Sequence, residues 1–531
     1  MSFDPQSTHS RSQPAPIFVS PAMLSMILVV AVFLFATYHA FSTQQFSWLA
    51  LIPSIPLAVY LINRKDVFFL MIVGFTAANI WVPLAGNDVP IHISMRLALC
   101  VVLIGTSIIT RQGGGKWDLL RLSTTGWLVI ILATMMARGT GIRQLGSSLW
   151  GGKNYVLLFS AVFFFLIVPR FIQLTRNQWK WIIAMLVLLP VLPLAADLLY
   201  IASGGKLYFL YYVFKPGGGV AETVTSITDE SSAWRVQGVA QIDLLLPLFV
   251  VSPWLGRSPH GKMILALMFS VTIILGGLSG FRGTLLRIIG LTIIYLWFRH
   301  PGRRVSMLVV TLSIFLGLVG VAHFAGRSFP PPVQRVMTVL PYANVDPFIR
   351  MNADHSSNWR IKIWDDVIRT ELRPHLILGR GFSFNPNKLF PLRTQYFEEW
   401  QVIQNAVTTG DFHSGPLIAT VLFGLPGFAF LLLIMFSALL KHWRIHHLEW
   451  QDPLLRHIHF VFFASFLYST LSFLLIYGDL SFMMIGYFMT LTFMEILAAG
   501  RQRDEENQRD GDSTQPKLVS EPTRNRVIRF T

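Results

Sequence analysis

His413 stands in "DFHSGPLIATVLFGLPGFAF", residues 411–430, just ahead of a long apolar run, with Pro416 and Gly424 behind it. A proline in a first turn marks a helix start, so the imidazole sits beside a helix N-terminus, whose partial positive charge favours the neutral ring. A neutral imidazole can take a proton from a hydroxyl. Asp411 either pulls the other way or orients the ring, and spacing leaves both open. Taken alone, such a histidine is as readily an interface residue as a base; its company has to decide.

That company is basic. Arg235 lies in "SSAWRVQGVAQ" just before an apolar run, Arg282 in "LGGLSGFRGTLLRIIG" at a glycine-rich reversal between two runs, and Arg380 in the glycine-rich turn "LGRGF" at 378–382. Arg360, in "SSNWRIKIWDDVIRTELRP", is a fourth candidate. A guanidinium donates two parallel hydrogen bonds and does not deprotonate, which suits it to phosphate. Near hydrocarbon it is costly unless paired, and no acidic residue adjoins Arg282 in sequence. An anionic ligand would meet that cost; the plain alternative is that Arg282 snorkels or bonds helix-end carbonyls.

Other chemistries find no support. The chain has no P-loop, no GxSxG elbow and no HExxH. Asp365 and Asp366 adjoin, but consecutive helical residues point apart, so they read as a solvated face and no metal is implied. The single cysteine, Cys100, lies within an apolar run, excludes an intramolecular disulfide and reads as a buried thiol.

The elements that must position these groups are membrane helices. Of 531 residues 53% are hydrophobic and 13% charged, and the mean hydropathy is +0.54, too apolar for a soluble chain of this length. Apolar runs of about 16 to 25 residues recur from Ala22 to Ala499, each able to cross a roughly 30 Å hydrocarbon core. About fourteen spans are predicted, uncertain by about two, and they include 67–84, 124–136, 181–203, 416–440 and 481–499. The fold class is therefore all-α, a polytopic integral membrane bundle of about 12 to 14 transmembrane helices. The first run lacks a small-x-small cleavage pattern and reads as a retained helix.

Every second connection is cationic, among them "NRKD" at 63–66, "RHPGRR" at 299–304 and "KHWRIHH" at 441–447, while 41–46, 85–92 and 478–480 carry no Lys or Arg. The positive-inside rule puts the cationic set and both termini in the cytoplasm. One outer loop, 137–154, disagrees: Arg138, Arg143 and Lys153 either bind something anionic or expose an error in the span at 124–136. The net charge of +16 is mostly this topology signal and fits anionic headgroups, with no call for nucleic acid.

The organisation expected is a cytoplasmic tail at 1–21, membrane helices at 22–203, an outer segment at 204–238, central helices at 239–325, a large outer segment at 326–412, C-terminal helices at 413–499 and a disordered cytoplasmic tail at 500–531. Outer segments that long are usually functional. In the larger one a helix near 358–372 is predicted, capped by Ser357 or Asn358, with Trp359, Ile363, Trp364, Val367 and Ile368 on one side, able to lie apolar side down on the membrane face.

These residues resemble the O-antigen ligase and polymerase superfamily of bacterial envelope glycan enzymes. "HSGPLIATVLFG" matches its signature of a histidine, ten residues and a glycine, through His413 and Gly424. "RGTLL" matches its arginine, three residues, leucine signature through Arg282 and Leu286, and "WRVQGVAQ" resembles its earlier outer-loop arginine segment through Arg235. The stretch from "WRIKIWDD" to "LGRGFSF" is similar to its loop pattern of an amphipathic helix leading to a glycine turn. The resemblance covers about residues 150 to 480; "HS" stands at 413–414 where the family often has "HN", and "GRG" replaces the commoner "GVG".

The resemblance implies a C-type glycosyltransferase-like helical fold in the bacterial inner membrane. It implies metal-independent, inverting glycosyl transfer at the periplasmic face from a glycan on undecaprenyl pyrophosphate, with no cofactor. His413 would be the base, Arg235 and Arg282 the pyrophosphate ligands, and Arg380 and Arg360 helpers at a sugar. The partners implied are that donor, a lipid or glycan acceptor and membrane lipids. A ligase acting on lipid A core and an exopolysaccharide or O-antigen polymerase share these residues and differ in acceptor. A transporter of lipid-linked sugars is the rival from another class; it predicts internal repeats and midplane charges, for which Arg96, Asp197 and Asp243 are the candidates.

Overall fold

Runs of Leu, Val, Ile and Phe that satisfy their backbone internally are what lipid permits, and helices are what this chain forms. The computed structural model describes residues 64–84, 87–110, 117–142, 147–204, 206–207, 210, 214, 245–390 and 399–514. The spans expected at 22–40 and 47–62, and Arg235, Arg143 and Asp243, lie outside the described residues. The chain divides into two units. The first, Met1–Phe68 with Pro83–Asp88, is described only at residues 64–68, 83, 84, 87 and 88. The second, Phe69–Val82 with Val89–Thr531, holds the bundle and the site.

In chain order the helices are α1 Lys65–Ala77, α2 Ile91–Thr110, α3 Leu119–Arg138, α4 Gly152–Phe171, α5 Arg176–Leu188, α6 Val191–Ala202, α7 Leu245–Leu255, α8 Pro259–Leu278, α9 Arg282–Arg299 and α10 Arg304–Ala325. There follow α11 Pro331–Met337, α12 Pro347–Val367, α13 Glu399–Thr409, α14 Gly415–His447, α15 Pro453–Leu475 and α16 Phe482–Thr514. Two four-residue strands, Trp81–Leu84 and Asn87–Pro90, are the exception to an all-helical chain among the described residues. Nine stretches among the described residues are long and apolar enough to cross a membrane. This is a multi-pass, all-α membrane protein.

The core is aromatic. α16 packs on α4, α14 on α3, and α15 against both α14 and α16. Trp127 of α3 is fully buried, stacked on Phe488 at 5.9 Å and edge-on to Phe423 at 6.3 Å. Where helices come closest a glycine allows it: a Cβ on Gly126 would meet the ring of Phe430. α10, by contrast, leaves Val305, Leu308, Leu312, Leu316 and Phe324 exposed, a surface that a bilayer covers.

The buried acidic charge inside the bundle is paired, as low dielectric demands. At the end of α14 far from His413, the buried Glu495 of α16 receives Lys441 Nζ at 2.5 Å, with His442 Nε2 at 3.2 Å and Arg121 Nη2 at 3.7 Å. Lys441 also reaches Asp118, the N-cap of α3, at 2.6 Å. Arg96 is buried on α2, donates to Thr76 Oγ1 at 3.0 Å and lies 5.4 Å over the Phe164 ring. Cys100 is buried, as expected.

Several predicted boundaries need correction. The helix placed at 67–84 ends at Ala77, and 181–203 holds two helices, parted at residues 189–190. The span expected at 124–136 is a longer, twenty-residue helix, Leu119–Arg138. Arg138 donates to the carbonyls of Gly379 at 3.1 Å and Leu378 at 3.3 Å. The last helix runs on to Thr514, into the tail expected to be disordered from 500, because its polar extension adds helix-forming Arg, Glu and Gln.

The helix expected near 358–372 starts eleven residues earlier, at Pro347, behind an Asp346 N-cap whose side chain accepts from Phe348 N. Asp-Pro is the stronger start signal. Ser357 therefore lies mid-helix, and after Val367 the chain passes into a π-helical turn, Ile368–Leu372. Of the expected apolar side, Ile363 and Val367 are fully buried while Ile368 is exposed.

Candidate functional site

α14 is broken where the sequence suggested one continuous span. Gly424 adopts φ 73° and ψ 174°, outside the helical region, and the turn "LGRGF" fills the break. Arg380 N donates to Val421 O and Gly381 N to Leu422 O, both at 2.9 Å, while Leu425 N donates to Leu376 O at 2.7 Å. Carbonyls freed by the break thus find partners, as buried backbone must. A Cβ on Gly379 would run into Leu422 O and one on Gly424 into Ile377 O, so side chains are excluded on both sides of the seam.

The same turn is tied to the heads of neighbouring helices. Phe384 and Trp150 exchange backbone hydrogen bonds at 2.9 and 2.8 Å. Ser383 Oγ donates to Gly139 O at 2.7 Å and Phe382 N donates to Tyr155 Oη at 3.1 Å. Phe382 packs edge-on to Tyr155 and Phe423 at 5.0 and 5.4 Å, joining the turn to the aromatic core.

On this platform, at the entry to α14, sits His413. Its φ is 55°, one of three positive values outside glycine among the described residues. A left-handed non-glycine residue costs roughly 1 to 2 kcal/mol, and such outliers concentrate at functional sites. Asp411 Oδ1 lies 2.6 Å from its Nδ1. The contact is too bent for a well-formed hydrogen bond, and Asp411 is 58% exposed, so the carboxylate acts by orientation and by a solvent-screened charge. The imidazole stands between two rings, edge-on to Trp359 of α12 at 5.5 Å and to Tyr477, just past α15, at 5.2 Å. Burial raises the Tyr477 phenol above its ordinary range, the carboxylates of Asp479 and Asp411 add to this, and Arg360 opposes it. The phenol therefore stays protonated beside the imidazole.

Arg282 opens α9 and its Nη1 donates to Ser357 Oγ at 3.1 Å. Along α12, Ser357 meets this guanidinium and Trp359 meets the imidazole that stands just ahead of α14; residues two apart on a helix point to different sides, so these are separate contacts. Arg360 extends the group through its proximity to Tyr477. Arg380 is used differently. Its guanidinium reaches Glu371 Oε2 at 3.3 Å and Thr408 O at 3.2 Å and lies 5.4 Å over the Phe412 ring; burial lowers its pKa and Glu371 counters that. It holds the turn to α13, away from Arg282's partners. Asp365 pairs with Arg369 at 2.9 Å and Asp366 accepts from Gln404 at 3.1 Å, as a surface face does.

Sequence reading missed Ser357, Trp359 and Tyr477 as neighbours of these groups. Trp359 had been assigned only to an apolar side, and Tyr477 adjoins an outer connection noted only for lacking cations. The near conjunction "YGD" at 477–479, after a membrane helix, is the signal that was there to be used.

Fold and site together define a multi-pass membrane protein in which one helix, α12, contacts both an imidazole and a guanidinium. Residues 264–432, from α8 through the first half of α14, match the family model described as O-Antigen ligase, and this stretch belongs to the O-antigen ligase and polymerase superfamily. The match contains Arg282, Arg360, Arg380, His413 and Gly424; Arg235 precedes it. Members of that family are glycosyltransferase-like ligases and polymerases. No curated protein matches the chain.

Proposed function

We propose that this protein is an O-antigen ligase-type glycosyltransferase of the inner membrane, moving a glycan from undecaprenyl pyrophosphate to an acceptor hydroxyl at the periplasmic face. The observation that carries this reading is His413 itself, held at φ 55° beside Asp411 and between Trp359 and Tyr477, within the stretch that matches the O-Antigen ligase model. With Asp411 at Nδ1, Nε2 is the nitrogen left to receive a proton.

The acceptor O–H gives its proton to His413 as the oxygen attacks the anomeric carbon. The bond from that carbon to the phosphate oxygen breaks, and the lipid pyrophosphate leaves with the electron pair. Negative charge develops on that leaving group, and Arg282, with Arg235, would hold it in the role a cation plays at a departing phosphate. The configuration inverts, and the proton on His413 returns to solvent. Both termini lie in the cytoplasm, as the cationic loops require.

The test is transfer by purified protein from an undecaprenyl pyrophosphate glycan to lipid A core and, separately, to a second donor molecule. His413→Ala and Arg282→Ala each abolish transfer while melting like wild type. Transfer to lipid A core makes the protein a ligase, and transfer to the second donor makes it a polymerase. Undiminished transfer by both variants removes His413 and Arg282 from the chemistry.

A further inference from the structure

The end of α14 far from His413 gathers basic side chains from three helices. Arg299 ends α9, His446 and His447 lie in the last turn of α14, and Arg456 and His457 stand near the start of α15. Ring contacts hold these ends together. Phe298, beside Arg299, packs edge-on to Trp443 at 5.2 Å, Trp443 packs edge-on to His447 at 4.4 Å, and His446 stacks on Phe460 at 4.9 Å. Trp254 of α7 lies edge-on to His457 at 5.9 Å, and His457 Nε2 is 2.8 Å from Phe249 O. The ionisable side chains that act on His446 are Arg456, His447, Arg299 and His457, all of them basic.

The acidic residues of this end are occupied elsewhere or stand apart. Glu495 is held by Lys441 and His442, and Asp452 by Arg176 at 3.0 Å. Glu449 is exposed and is not among the groups acting on His446. Among the described residues the guanidinium groups of Arg299 and Arg456 make no hydrogen bond and no ion pair, and both residues are exposed. His446 Nδ1 is buried without a hydrogen-bond partner. A cation in a last turn is ordinary, because the helix dipole favours it there, and that accounts for Arg299 and His447. It does not account for Arg456, whose N–H closes the first turn of α15 on Asp452 O, where the dipole opposes positive charge. An anion shared between the helix ends accounts for both arginines.

We propose that the ends of α9, α14 and α15 form a binding site for a phosphate group, with Arg299 and Arg456 as its ligands. Guanidinium forks on separate helices suit the tetrahedral oxygens of a phosphate, to which each donates paired hydrogen bonds. The cationic loops assign this end to the cytoplasm, where basic pockets between membrane helices take phospholipid headgroups. Trp443 and Trp254 supply the indoles that sit at headgroup level. A phospholipid and free phosphate share this chemistry, and the site stands independently of the transfer reading at His413.

The full chain in a neutral detergent is titrated with dioleoyl phosphatidylglycerol and, separately, with inorganic phosphate, and adducts are counted by native mass spectrometry. Wild type is expected to hold phosphatidylglycerol. Arg299→Gln and Arg456→Gln should each weaken the first adduct about fivefold, the scale of one arginine at an anionic surface. Arg327→Gln, just past the far end of α10, should leave it unchanged. An inorganic phosphate adduct that the same two variants weaken keeps the phosphate site and makes its ligand soluble. The proposal is overturned by no adduct with either ligand, by an affinity that a folded Arg299→Gln or Arg456→Gln leaves unchanged, or by equal weakening in Arg327→Gln. Neither guanidinium bonds to the protein, so both variants should melt like wild type without ligand; if one unfolds, the other reads the site from a different helix.

Discussion

His413 is held in a left-handed backbone conformation, between two aromatic rings and over a carboxylate. An interface residue has no need of that strain. Removing the imidazole should cost roughly 10²- to 10⁴-fold in kcat, the range of a general base. Asp411→Asn should cost only about tenfold, because a half-exposed carboxylate orients more than it polarises; kcat from initial rates checks both. Tyr477 keeps its proton through the working range, so Tyr477→Phe should leave the alkaline limb of the pH–rate profile where it is, and a shifted limb would mean that the phenol titrates in the reaction. His413 and Arg282 were legible in sequence because their types and flanking helix signals are local. Ser357, Trp359 and Tyr477 were not, since each earns its place by what a distant segment brings to it.

At the scale of the element, α14 does two jobs. Its first ten residues follow directly on His413, and its remainder carries Lys441 to Glu495 of α16. The break at Gly424 separates them and admits the glycine turn. Gly424→Ala forces a side chain into a left-handed position and against Ile377 O, at a cost on the order of 1 to 3 kcal/mol from strain alone. Thermal unfolding in detergent should register that loss together with falling activity. Glu495→Ala should cost about 3 to 5 kcal/mol, since it leaves Lys441 and its neighbours without their buried counter-charge. The same unfolding measurement reads it, and a melting point equal to wild type would show that the cluster is solvated. The His-to-Gly spacing was visible in the sequence, but its meaning as a seam was not, because the carbonyls that need partners appear only once the helix is broken.

At the scale of the molecule, the site and the Glu495 cluster occupy opposite ends of α14. A cysteine at the exposed Thr409 should react with a membrane-impermeant maleimide added outside, and one at Gln451 should not; Cys100, being buried, contributes little background. Reversed labelling would invert the topology drawn from the cationic loops.

The sequence by itself determined the solvent, the helical class and the identity of the charged groups worth watching. These follow from composition and periodicity, which act over one or two turns. Only the tertiary structure decided that Arg138 and Arg380 serve the glycine turn while Arg282 meets Ser357 and His413 meets Trp359. It decided too that the amphipathic helix begins at Pro347 and buries Ile363 and Val367. A guanidinium looks the same in any sequence; whether it meets a carbonyl, a carboxylate or a hydroxyl beside an imidazole depends on residues a hundred or more positions away, and packing alone brings those together.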